Sequence, residues 1–141
     1  MSRPRDIGTR VETAIVKACQ AGGFPYADRQ PLRGNRDQGD VIVTPGVIIE
    51  AKGGKAAETA SDNQITKWME ELDQAAEHAN AEIALLVTKR PGIGHNNAHR
   101  WWAHARLCDV IGSKCEETGD HATIIRWYLG DALAWLKREG W

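Results

Sequence analysis

The stretch Gly39-Asp-Val-Ile-Val-Thr-Pro-Gly-Val-Ile-Ile-Glu-Ala-Lys-Gly53 decides how this chain folds. Two short aliphatic runs, residues 41–43 and 47–49, flank Thr44-Pro45-Gly46, whose Pro-Gly pair signals a turn, so the runs form adjoining antiparallel strands. Both runs end in charge: Asp40 precedes the first, and Glu50 and Lys52 follow the second. Charges at the end of a sheet core carry a desolvation cost that a partner or an ion must offset. Side-chain alternation adds a geometric condition. A strict two-residue Pro-Gly loop would set Asp40 across from Ala51, whereas a shift by one, through a three-residue connection or a bulge, sets it across from Glu50. Chemistry needs the two carboxylates to converge, so the irregularity is expected. Glu50 and Lys52, two apart on one strand, share a face in either case.

Outward from this core, Thr9-Arg-Val-Glu12 has the spacing of a capping box, Val11, Ala14, Ile15 and Ala18 make an apolar face, and Gly22-Gly23 ends the pattern. A helix over about residues 9–21 follows, with Glu12 beside its apolar face. Residues 24–30 suit an edge strand that tolerates Pro25 and Pro31, leading into a polar loop. After a cap at Ser61 or Asp62, Ile65, Trp68, Met69, Leu72, Ala75, Ala76 and Ala79 recur at helical spacing, with Glu70, Glu71, Asp73 and Glu77 opposite. This predicts an amphipathic helix that covers a sheet. Residues 83–88 are too apolar to be half exposed and read as a buried strand, and strand, helix, strand implies parallel neighbours. Residues 91–97 read as a loop, 101–107 as a strand with a short helix as the alternative, 112–119 as a polar excursion and 122–129 as a strand. Gly130-Asp131 then opens a closing helix.

A chain of 141 residues supports one domain with a real core and is too short for two ordinary ones. With 42% apolar and 26% charged residues it fits a globular α/β protein, and no apolar run approaches the roughly 20 residues that span a membrane. The basic start, Met-Ser-Arg-Pro-Arg-Asp, leads into no continuous apolar segment, which argues against secretion and for a cytoplasmic protein. Cys19, Cys108 and Cys115 form no CxxC pair or zinc spacing and read as thiols. The net charge of −1 excludes a nucleic-acid coat protein held by bulk charge. Residues 1–36 nevertheless carry seven Lys/Arg against three acids, a basic lip compatible with DNA contact or with a plain solvated face.

Hydrolysis of a phosphodiester requires a water to approach an anion and the leaving oxygen's charge to be absorbed, and magnesium held by oxygens meets both demands. Asp40, Glu50 and the backbone carbonyl of Ala51 are the natural ligands, Lys52 can position or deprotonate the water, and Glu12 could complete the shell or help hold a second ion. The ordinary alternative is that Asp40 caps a turn while Glu50 pairs with Lys52 in a rim salt bridge.

Gly39-Asp40, nine intervening residues and Glu50-Ala-Lys52 resemble the signature of the PD-(D/E)xK, or restriction-endonuclease-like, nucleases, closest to archaeal and small phage-encoded Holliday-junction resolvases. The resemblance covers roughly residues 7–90, with Gly39 standing where the family has proline. It implies a core ordered α-β-β-β-α-β, magnesium (manganese able to substitute) on Asp40 and Glu50, Lys52 assisting the water and Glu12 at the site. It further implies DNA as substrate, a four-way or otherwise branched junction first, a homodimer that cuts both strands, and a host's cytoplasm if the chain is phage-encoded. Restriction or repair cleavage of duplex, and a non-catalytic nucleic-acid-binding protein on the same fold, stay open. Arg10, Arg33, Arg36, Lys89 and Arg90 are candidates for DNA phosphates. Gln64 could stand at the site or be an ordinary exposed helix residue. His95 and His99 suit metal only if helical, and a flexible DNA-facing loop fits them better. Trp101, Trp102, Trp127, Trp135 and Trp141 suit core packing, a dimer interface or base stacking.

Overall fold

Val47–Lys52, the aliphatic run that ends in Glu50 and Lys52, is strand β3 of a six-stranded mixed sheet in a computed structural model that describes residues 4–31, 38–112 and 122–141. The strands lie side by side in chain order: β1 (Asp28–Arg29), β2 (Val41–Thr44), β3, β4 (Ile83–Thr88), β5 (Trp102–Arg106) and β6 (Ile124–Tyr128). Only β3 and β4 are parallel, because α3 (Asp62–Ala79) returns the chain between them; every other pairing is antiparallel. Among the described residues the remaining helices are α1 (Pro4–Ala21), α2 (Gly54–Glu58), α4 (Leu107–Ile111) and α5 (Leu129–Arg138), with a 3-10 segment at His95–Arg100.

Alternation divides the sheet into two faces. Val41, Val43, Val47, Ile49, Leu85, Val87 and Ala103 point to one side, where Ile15 of α1 and Leu133 of α5 close over them together with Trp101. Ile48, Ala84 and Leu86 point to the other and meet Met69, Leu72 and Ala75 of α3. Each large aliphatic side chain buried in this way contributes roughly 1.5–3 kcal/mol. The whole of β4 is buried, as its unbroken aliphatic run requires. At its start α3 is capped by the Ser61 Oγ, which accepts from the Gln64 N–H at 3.2 Å, and Asn80 in the left-handed region (φ 52°) ends it.

Several expectations need correcting. Helix α1 starts at Pro4, five residues early, so Thr9 lies inside it and no capping box forms there; the Thr13 hydroxyl donates to the Thr9 carbonyl at 2.8 Å. The edge strand shrinks to Asp28–Arg29, consistent with the two prolines that bracket the segment. Two five-residue helices, α2 and α4, carry too little periodicity to be read locally. Cys108 is disulfide-bonded rather than a thiol. Among the described residues no helix is long and apolar enough to cross a membrane.

Candidate active site

The expected irregularity is present. Thr44 pairs with Val47 beside the turn, the register shifts between Ile42 and Thr44, and beyond it Ile42 pairs with Ile48 and Val41 with Ile49. Asp40 lies one residue before β2, just beyond the Val41–Ile49 pair. Asp40 grips both neighbours of Glu50: its N–H donates to the Ile49 carbonyl at 2.9 Å, and its Oδ2 accepts from the Ala51 N–H at 2.7 Å. Its own carbonyl accepts from the Gln30 N–H at 2.8 Å, which is the structural use of the short β1. Gly39, at φ 90°, turns the chain into this position, and proline, fixed near −65°, cannot adopt that angle. The glycine that departs from the resembling family's motif is therefore required by this backbone.

In a strand the N–H and C=O of one residue point to the same neighbour. The Ala51 N–H points to Asp40, so the Ala51 carbonyl faces the β2 side as well, while the Lys52 carbonyl faces β4 and accepts from the Lys89 N–H at 3.0 Å. The Asp40 carboxylate and the Ala51 carbonyl thus lie on the β2 side of β3, one residue along from Glu50, and all three residues offer hard oxygen donors. Lys52 Nζ stands 3.6 Å from Glu50 Oε1 and 5.4 Å from the centre of the Trp68 ring, so α3 positions the ammonium beside the carboxylate. Both side chains are largely shielded, at 28% and 13% exposure, which keeps their interaction from being fully screened.

Glu12 does not join them. It lies on α1, against the opposite face of the sheet, and its Oε2 accepts from Arg29 Nε at 2.9 Å. Among the described residues no three His, Cys, Asp or Glu side chains form a metal-holding group. Magnesium commonly binds through one or two carboxylates and draws its remaining oxygens from water and phosphate, and the donor set fits that habit. Gln64 serves the cap of α3 through its backbone N–H.

The cations divide. Arg10 and Lys89 line, with Lys55, Glu58 and His95, a cleft of about 190 Å³ beyond the ends of β3 and β4, where Lys89 Nζ meets Glu58 Oε1 at 2.8 Å. Burial, then the charges of Arg10 and Lys89, lowers the pKa of His95. Arg90 sits elsewhere, donating to the Arg100 carbonyl at 2.9 Å and stacking 4.2 Å over the Trp102 ring. Arg33 and Arg36 lie outside the described residues. The segment holding His95 and His99 is a packed 3-10 turn rather than a flexible loop: Ala98 is buried, Trp101 is fully buried with its Nε1–H donating to the Ile93 carbonyl at 2.9 Å, and His95 meets the Trp101 ring edge-on at 5.6 Å.

A second polar group was missed from sequence. On the α3 face the register aligns Glu50, Leu86, His104 and Arg126 in one row, and Lys52, Thr88, Trp102 and Tyr128 in the next. Thr88, Trp102, His104 and Arg126 line a groove of about 420 Å³ whose other wall includes Ala57, Asp62 and Thr66. Nδ1 of His104 lies 3.1 Å from the Leu86 carbonyl, which makes Nδ1 the donor and leaves Nε2 an acceptor. Burial chiefly, opposed by that hydrogen bond and aided by Arg126, lowers the His104 pKa and favours the neutral ring. The available signal was the alternation of large and small side chains in Trp102-Ala-His-Ala-Arg106, although its meaning depends on a cross-strand register that local sequence does not carry. Set beside known proteins, the chain matches no protein-family model, no curated protein and no solved structure.

Proposed function

We propose that this protein is a magnesium-dependent DNA endonuclease acting on branched DNA, four-way junctions foremost. The observation that carries the reading is the hold of Asp40 on both chain neighbours of Glu50, its N–H on the Ile49 carbonyl and its carboxylate on the Ala51 N–H. A bound magnesium would supply charge neutralisation and an acidified water. Asp40, Glu50 and the Ala51 carbonyl would hold it. Lys52, as an ammonium, donates hydrogen bonds that would orient the attacking water and balances charge gathering on the phosphoryl oxygens. Arg10, Lys55 and Lys89 in the adjoining cleft fix the backbone of the strand. The order α1, β1, β2, β3, α3, β4 parallels the core that the motif resemblance implies, which supports the reading. Cutting both arms of a junction symmetrically calls for two sites, hence a homodimer.

Purified protein with magnesium or manganese should cleave junction or flap DNA in preference to linear duplex. Asp40→Asn and Glu50→Gln should each lower the rate about a thousandfold or more, the scale of several kcal/mol of lost charge stabilisation. An undiminished rate in either variant rejects the assignment. A second reading has its own support: the Glu50–Lys52 pair and the Asp40–Ala51 hydrogen bond also suit a self-contained polar rim on a protein that binds DNA without cutting it. Junction binding without hydrolysis in either metal would select that reading.

A further inference from the structure

We infer that Arg90, Trp102, Arg126 and Tyr128 form a docking platform for unpaired, single-stranded DNA, separate from the carboxylates but on the same face of the sheet. The choice of DNA rests on the nuclease reading above; the platform itself does not. Trp102 and Tyr128, cross-strand partners on β5 and β6, stack at 5.3 Å with their planes 14° apart. The Arg90 guanidinium lies 4.2 Å from the Trp102 ring centre and 5.3 Å from that of Tyr128, and Arg126 lies 4.2 Å from the same indole. Arg126 is exposed, and Tyr128, at 39% exposure, is among the few large aromatic side chains left to solvent.

A stacked guanidinium presents N–H groups at its edge to phosphate oxygens, Arg126 directly and Arg90 with those not held by the Arg100 carbonyl, while the exposed Tyr128 ring offers a flat surface, the pairing that sequence-tolerant single-strand binders use. Duplex DNA buries its bases in the stack and could use only the cations. A second copy of this chain fits the patch poorly, because a two-fold contact would bring the same arginines against one another. The neighbouring groove continues the surface past Trp102 and Arg126 toward Asp62 and Thr66 of α3. Across the sheet, strands about 4.8 Å apart put β5 and β6 about 10 and 14 Å from β3. A DNA strand laid across the sheet spans that interval within a few nucleotides. The platform therefore holds an unpaired flank beside the bond to be cut, which accounts for a preference for branched over linear substrate.

The test is fluorescence anisotropy of a labelled oligothymidylate of about twelve nucleotides in EDTA, where cleavage cannot occur, with size-exclusion chromatography run in parallel. Arg126→Ala and Tyr128→Leu should each weaken binding at least about fivefold. The Arg90→Ala/Arg126→Ala double variant should flatten the slope of log affinity against log salt by about 1.4. The charge-matched surface variant Arg138→Ala should bind like wild type. Unchanged binding in the platform variants overturns the inference, as does an equal loss in Arg138→Ala, or a loss of self-association in place of oligonucleotide binding. Wild-type protein that binds through the platform but never cleaves in magnesium refutes the nuclease reading alone.

Discussion

The two faces of the sheet bury different things. Beneath α1 and α5, Val41, Ile49, Leu85, Val87 and Ala103 are all fully buried, and the aliphatic layer runs unbroken from β2 to β5. Beneath α3 the aliphatic layer is a short band of Ile48, Ala84 and Leu86, beyond which the same strands present Glu50, Lys52, Thr88, His104 and Arg126. One helix cannot cover six strands, and the uncovered rows hold the groups able to do chemistry. The first face is filled by aliphatic side chains, and the second divides between an aliphatic band and polar rows. The division follows from alternation alone, since neighbours along a strand must serve opposite faces.

Substitutions can break that contrast in order of expected size. The largest effect is on activity and comes from Asp40 and Glu50, whose neutral variants should lose cleavage while unfolding as wild type does within about 1 kcal/mol. Next, Ile49→Ala should cost about 2–5 kcal/mol in urea denaturation, because its site is fully buried, whereas Ile42→Ala, at 36% exposure on the other face, should cost under about 1 kcal/mol. Equal losses would show that the two faces bear the fold alike.

A smaller effect tests the cost of polarity beneath α3. Asp109 follows β5 on α4, and burial first, then the charge of Asp73, raises its pKa to about 6 against the opposing pull of Arg106. Arg106 is itself forked onto Asp73 at 2.7 and 3.4 Å. The folded state thus holds this proton more tightly than the unfolded chain. The associated stability is complete below about pH 4 and is lost as pH rises through about 6. Asp109→Asn should therefore be about 1–3 kcal/mol more stable than wild type near pH 7.5 and nearly equal to it at pH 4. A variant that tracks wild type across that range would place Asp109 in water.

What could be read from the chain was whatever local periodicity fixes. The heptad-like apolar spacing of Ile65, Trp68, Met69, Leu72 and Ala75 gave α3 and its buried side, and the Asp40–Glu50 requirement forecast the bulge before any coordinates. The start of α1 was misplaced because Thr9 and Glu12 imitate a cap that Pro4 makes unnecessary. Glu12 was drawn to the site by motif resemblance, whereas folding pairs it with Arg29, seventeen residues away. The platform escaped for a different reason: Arg90, Trp102, Arg126 and Tyr128 come from three segments, and only the register of β4, β5 and β6 unites them.

The central claim is that Asp40, Glu50 and the Ala51 carbonyl hold one hard divalent cation. Titration of Mn²⁺ followed by electron paramagnetic resonance measures this directly, using wild type, Asp40→Asn and Glu50→Gln at matched concentration, with circular dichroism to verify folding. The account predicts one saturable Mn²⁺ site, displaced by excess Mg²⁺, that weakens at least about tenfold in each folded variant. Equal Mn²⁺ uptake by all three proteins, or none by wild type even with junction DNA present, would contradict it.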